Sequence, residues 1–235
     1  MIEIERLRDN IRSVVEQIEE AASRSSRRKE DILLLAVTKA VPPEMIEMAI
    51  DEGLRFFGEN RVQEAADKIP RVSPGVVWHM VGHLQTNKAR SAVRLFEMIH
   101  SVDSIKLGRV VDRHAREIGK IQKCLVEVNL SGEPSKYGMN AKELKHFLEA
   151  ASALTGISIQ GLMTIPPYDP DPERSRRYFI KLRELANEAS GWNIPHISMK
   201  ELSMGMTEDF PVAIEEGSTI IRIGRAIFAR MPLET

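Results

Sequence analysis

A single cysteine, Cys124, leaves this chain without an internal disulfide and makes a reducing, cytoplasmic setting the expectation. It sits in Lys123-Cys124-Leu125-Val126-Glu127-Val128, a strand-like run in which a buried, inert thiol is expected rather than a nucleophile. Charge of one sign is equally scarce: 33 lysines and arginines against 34 aspartates and glutamates give a formal net charge of -1. That balance supplies no field to draw the chain to nucleic acid or to an anionic membrane. No apolar run approaches the length of a membrane span. The six histidines show no ligand spacing and no second cysteine is present, so no metal is expected. A Gly-x-Gly-x-x-Gly turn and a Gly-x-Ser-x-Gly elbow are both missing, which argues against a dinucleotide site and a serine nucleophile. Repeats and low-complexity tracts are absent as well.

What the chain does have is an almost unbroken alternation of strand-like and helix-like segments. Strands are predicted at Ile32–Thr38, Arg55–Gly58, Val76–Val81, Met98–Ser101, Cys124–Asn129, Ile159–Met163, Glu201–Met204 and Thr219–Ile223. Helices are predicted between them, near Pro43–Gly53, Asn60–Ile69, Asn87–Phe96, Ser104–Ile118, Ala141–Leu154, Pro172–Ser190 and Thr207–Glu216. That count fits a single-domain α/β chain folded as a (β/α)8 TIM barrel across 235 residues, in preference to an open doubly wound sheet. Ile4, Leu7, Ile11, Val14 and Ile18 recur at helical spacing, so the N-terminus reads as an extra amphipathic helix filling the eighth helical slot, not as a signal peptide. The basic stretch Arg24 to Glu30 reads as a solvated connection.

A barrel of this kind works at the C-terminal ends of its strands. The first of those ends carries Lys39, after the apolar run Leu33 to Val37 and before Pro42-Pro43. A lysine there is expected to keep its stem in the core, where lost hydration lowers its pKa and leaves an amine able to form a Schiff base. The alternative is a lysine snorkelling from the strand end into solvent. The last two ends, Ser203-Met204-Gly205-Met206-Thr207 and Arg222-Ile223-Gly224-Arg225, suit a phosphate: a hydroxyl from Ser203 and close backbone approach at Gly205 and Gly224. Thr207 is expected to cap the helix beginning at Glu208-Asp209. Arg222, flanked by β-branched residues, should point into the barrel, either paired with a carboxylate such as Glu59 or set against a cofactor ring nitrogen. His79 alternates with apolar neighbours and reads as a hydrogen-bonded core histidine. Met163 and Met204 fall where a planar ring could pack. Pro166-Pro167-Tyr168-Asp169-Pro170-Asp171-Pro172 reads as a stop signal, with Pro172 opening the next helix, rather than as a lid.

Seven ordered blocks together resemble one family. They are Ala36 to Lys39, Phe57 to Glu64, Trp78 to Lys88, Ser135 to Gly138, Gly161 to Thr164, Leu202 to Thr207 and Arg222 to Gly224. They look like the pyridoxal-phosphate homeostasis proteins, single-domain relatives of the alanine racemase N-terminal barrel. The resemblance implies that Lys39 holds pyridoxal 5'-phosphate as a Schiff base (an internal aldimine). It further implies that Ser203, Gly224 and the backbone of Arg225 hold the phosphate, that Arg222 faces the pyridine nitrogen, and that Asn60 and Met163 line the ring. His83, Arg225 and Ala229 depart from the residues that the family more often carries. The resemblance also implies a monomer or weak homodimer acting in vitamin B6 balance, with apo-enzymes as possible acceptors of the cofactor and no established reaction. Racemases of this fold use a second, β-rich domain, for which the sequence leaves no room after Thr235. Two rivals stand beside this reading: a pyridoxal-phosphate-dependent enzyme such as a weak amino-acid racemase, and a Schiff-base aldolase without cofactor.

Overall fold

Period-two alternation gives each strand an inner and an outer face, and the sheet buries both. In the computed structural model, which describes residues 2–133 and 136–228, the barrel strands are β1 (Leu33–Val37), β2 (Phe56–Glu59), β3 (Val77–Met80), β4 (Met98–Val102), β5 (Gln122–Asn129), β6 (Ile157–Met163), β7 (Ile197–Ser203) and β8 (Ile220–Ile223). Neighbours run β4-β3-β2-β1-β8-β7-β6-β5, all parallel, and β4 pairs with β5 through Ile99 and Cys124. That last pairing closes the sheet, so the expected barrel is present and the open-sheet alternative is not. Two apolar layers follow from the alternation. Leu35, Val81, Met98, Leu125, Met163 and Ile220 fill the barrel interior, while their strand neighbours, among them Ala36, Ile99, Val126 and Ile221, pack outward against the helices.

The helices are α1 (Ile2–Arg24), α2 (Pro43–Asp51), α3 (Val62–Lys68), α4 (Ala89–Leu95), α5 (Ile105–Glu117), α6 (Leu144–Ala151), α7 (Arg176–Gly191), α8 (Phe210–Glu215) and α9 (Arg225–Phe228). Local chemistry starts several of them. Pro43 opens α2 at its first turn, and the Ser104 hydroxyl accepts the Leu107 N–H to cap α5. Leu7, Ile11, Val14 and Ile18 bury one stripe of α1, which packs on α8, α9 and α2. The leading helix is therefore the extra amphipathic helix its spacing predicted, but the eighth helical position after β8 is held by the short α9, which the sequence did not signal. No helix among the described residues is long and apolar enough to cross a membrane.

Differences from the sequence reading are local. β7 begins at Ile197, four residues before Glu201; its first half is only partly buried and carries exposed Lys200, so it lacks the apolar run that marks a strand in the sequence. A two-residue strand, Met139–Asn140, pairs with Val128 and Asn129 of β5 and was not foreseen. Asp209, not Thr207, is the residue preceding α8, and the Thr207 hydroxyl instead receives the Ala226 N–H at 3.4 Å. Ser135 and Ala229 lie outside the described residues. Cys124 is fully buried, and burial pushes its thiol up to about 12, as an inert core residue requires.

Candidate functional site

A cavity of about 790 Å³ opens at the C-terminal mouth of the barrel, within the range of small-molecule sites. Its wall brings together Lys39, Asn60, Arg222, Gly224 and Arg225, five of the seven residues singled out in the sequence. Lys39 lies two residues beyond the end of β1, exposed in a turn, and so its stem does not occupy the core as expected. The strand stops at Val37, which turns the next two residues out of the sheet. Gly224 sits where a Cβ would come 3.2 Å from the Val37 carbonyl oxygen, so a side chain there would crowd the backbone at the end of Lys39's strand. Val37 and Val81 supply apolar wall.

Ser203 and Met163 do not reach the cavity wall. Met163 is fully buried in the interior layer, one level below the mouth. Ser203 is fully buried too, and its hydroxyl is already engaged: Arg222 Nη1 donates to Oγ at 2.7 Å, and His100 Nδ1 lies 2.9 Å from Oγ. Both placements have one cause. Strands β6 and β7 end at Met163 and Ser203 themselves, so these side chains belong to the last inward rung rather than to the loops above it.

Arg222 points inward between outward-facing Ile221 and Ile223, as alternation predicted. Its partner is not Glu59, which faces outward to Thr38 and Lys68. The guanidinium donates instead to Ser203 Oγ and, at 3.0 Å, to the Thr164 carbonyl. Burial lowers Arg222 to about 10, against the pull of Asp209 and Glu127, so it remains a cation at neutral pH.

Behind Ser203 a buried chain continues, with His79 Nδ1 3.0 Å from His100 Nε2. Its polarity follows from donor chemistry. Arg222 can only donate, so Ser203 Oγ accepts from it, and the arrangement that uses every proton has the hydroxyl donating to His100 Nδ1 and His100 Nε2–H donating to His79 Nδ1. Neutral rings are required, and burial provides them. It lowers His79 to about 4, and burial together with the neighbouring His79 and Arg222 holds His100 well below its usual range. His79 is thus the hydrogen-bonded core histidine its sequence suggested, but its partner His100 went unremarked because Met98-Ile99-His100 reads as an ordinary strand. Ser203→Ala breaks this chain. It should leave Arg222 Nη1 and His100 Nδ1 unpaired and cost roughly 1–3 kcal/mol, read as a lower denaturant midpoint at unchanged slope. An unchanged midpoint would show that the chain contributes no stability.

Other wall residues were missed or misread. Ile165, Pro166, Pro167, Tyr168 and Asp169 line the cavity, so the proline-rich segment is part of the site and not only a stop before α7. Its far end behaves as read: the Asp171 side chain accepts the Glu173 N–H, with Pro172 between them. Arg225 pairs with Glu208 at 2.7 Å, its side chain 73% exposed, and both residues line the cavity. Glu127, buried near the end of β5, is pushed up to about 7 by burial and then by Asp103, and its Oε2 has no partner among the described residues. Among the described residues no three ligating side chains cluster as a metal site would require.

Comparison with known proteins agrees with this geometry. The family model described as "Alanine racemase, N-terminal domain" matches residues 2–232. A relative from Aquifex aeolicus named "Pyridoxal phosphate homeostasis protein" is 40% identical over 221 residues, covering 94% of this chain and 96% of the relative. The structure of PipY from Synechococcus elongatus with PLP bound superposes with a TM-score of 0.81 at 40% identity, covering 90% of this chain and all of that one (100%). An alanine racemase from Clostridium difficile shares the fold at a TM-score of 0.73 and 13% identity, covering 96% of this chain but 58% of its own.

Proposed function

This chain belongs to the alanine racemase N-terminal family and, within it, to the pyridoxal phosphate homeostasis proteins, and from that premise we propose that it holds pyridoxal 5'-phosphate through Lys39 and acts in intracellular balance of that cofactor. The observation that carries the reading is the shared wall of Lys39, Arg222 and Gly224 in one mouth cavity. The residues fit the group. An exposed amine is offered to its aldehyde, a cation to its ring nitrogen, and bare backbone at Gly224 and Arg225 to its phosphate. Because Ser203 is engaged by Arg222, the hydroxyl assigned to the phosphate is that of Thr207, which lines the cavity beside Met206. Asn60 and Val81, which line the cavity, would border the ring, while Met163 stays in the interior layer beneath it.

When bound, the cofactor supplies an electron sink for carbanion chemistry. Arg222 would work against that use, because a fixed cation beside the ring nitrogen would disfavour a proton there. This supports a carrier in preference to a racemase. Its partners in this reading are the cofactor itself and apo-enzymes that receive it, and the protein acts in the cytoplasm as a single-domain monomer or weak homodimer.

Borohydride reduction of the protein incubated with pyridoxal phosphate, followed by peptide mass spectrometry, tests the reading. The expected result is one stoichiometric adduct on Lys39 and no measurable turnover of alanine, serine or ornithine. An adduct confined to another lysine would overturn the assignment. Turnover near 1 s⁻¹ or faster, the ordinary enzyme range, would promote the racemase reading instead.

A further inference from the structure

Lys39 is followed by Ala40, which holds φ 59 although it is not glycine. An alanine there is strained and persists only where its surroundings enforce the conformation. The enforcement comes from the end of β2 and from α3. Ala40 N–H donates to Glu64 Oε1 at 2.7 Å. On the other flank, the Thr38 carbonyl accepts from Lys68 Nζ at 2.7 Å and the Thr38 hydroxyl donates to Glu59 Oε1 at 2.6 Å. The same ammonium reaches Glu59 Oε1 at 2.5 Å and Glu64 Oε1 at 2.9 Å.

An ammonium has three N–H donors, and here each has one acceptor. One goes directly to the residue before Lys39, one to the carboxylate that holds the residue after it, and one to the carboxylate that holds the Thr38 hydroxyl. Lys68 is itself buried, with 7% of its side chain exposed, and Glu59 is fully so. A buried ion pair needs no link to a neighbouring turn in order to be satisfied. This one is tied to both sides of a single exposed residue.

We propose that Lys68 and Glu64 are positioning residues for Lys39, a clamp that fixes the backbone on both sides of the reactive amine while leaving its side chain free in the cavity. The inference rests on Lys39 being the residue that takes the aldehyde. It goes further in assigning the role of aiming that amine to side chains on the outer face of the barrel, none of which lines the cavity.

The decisive variants are at Glu64, whose side chain is 28% exposed, since Lys68→Met would strand buried Glu59 without its cation. Glu64→Gln keeps an oxygen to accept the Ala40 N–H, whereas Glu64→Ala removes it. Pyridoxal phosphate with borohydride is the probe, and the rate of adduct formation at Lys39 in the full chain is read by mass spectrometry. Glu64→Ala is expected to slow capture about tenfold or more, the scale of a misplaced reacting group. Glu64→Gln should stay within about twofold of the parent, since the bond it keeps is the one that orients the turn. Capture by Glu64→Ala at the parent rate, or by Glu64→Gln as slowly as by Glu64→Ala, would overturn the clamp.

Amide hydrogen exchange at Ala40 provides a second readout that needs no cofactor. Protection in the parent and in Glu64→Gln, lost in Glu64→Ala at an unchanged melting temperature, supports the clamp; an unprotected Ala40 amide in the parent overturns it. If the parent forms no adduct at Lys39, the proposed function fails while the exchange result still decides the clamp.

Discussion

Lys39→Ala should abolish covalent capture of pyridoxal phosphate while leaving the protein folded. Among the groups on the cavity wall, the Lys39 amine is the one assigned to the aldehyde, so its loss is all-or-none for the covalent link. Stability should hardly change, because Lys39 is exposed and lies beyond the end of β1. Surface truncations of this kind fall within about 0.5 kcal/mol. The measurement is absorbance of the bound cofactor together with a thermal melt. Residual non-covalent affinity is expected through Arg222 and the Gly224 turn, and dialysis should remove that cofactor completely. A yellow, dialysis-resistant Lys39→Ala protein would place the covalent link elsewhere and undo the functional reading.

Gly82→Ala should damage both fold and site. A Cβ at this position would come 2.2 Å from the Asn60 carbonyl oxygen and 2.8 Å from the Asn60 Cα. Those are backbone atoms, which cannot rotate aside. Moving Gly82 away would also strain the bond its carbonyl accepts from the Ser101 hydroxyl at 2.6 Å. Overpacking of this kind costs roughly 1–3 kcal/mol. Asn60 lines the cavity, so its displacement should also weaken pyridoxal phosphate, by about tenfold or more if the shift nears 1 Å. Gly191→Ala is the control, since nothing lies within 4 Å of its added Cβ and α7 should tolerate or welcome it. Equal melting temperatures and equal affinities for Gly82→Ala and the parent would refute the argument.

Much of this protein was legible before any coordinates. The Leu33 to Val37 run, the stripe from Leu7 to Ile18 and the alternation around Arg222 each obey a local period, and local periods are properties of the chain itself. They were enough for the barrel, the direction of Arg222, the burial of Cys124 and the placing of Lys39 at the mouth. The partners of those residues were not legible. Arg222 was expected either beside a carboxylate such as Glu59 or against a cofactor ring nitrogen; Glu59 falls on the opposite face of β2, and the acceptors within the protein are Ser203 and the Thr164 carbonyl, 19 and 58 residues away along the chain. His100 meets Ser203 across 103 residues.

Strand ends were the other blind spot. One residue separates the last inward rung from the first loop residue, and a one-residue difference turns a side chain from the interior to the rim. That is why Ser203 and Met163 read as wall residues in the sequence, while Thr207 read as a helix cap and the segment from Pro166 to Pro172 as a stop signal. Which side chains face each other across a closed barrel depends on how eight parallel strands are staggered against their neighbours. That stagger is decided by pairings such as Ile99 with Cys124 and Leu35 with Arg222, contacts between distant segments that no local pattern encodes.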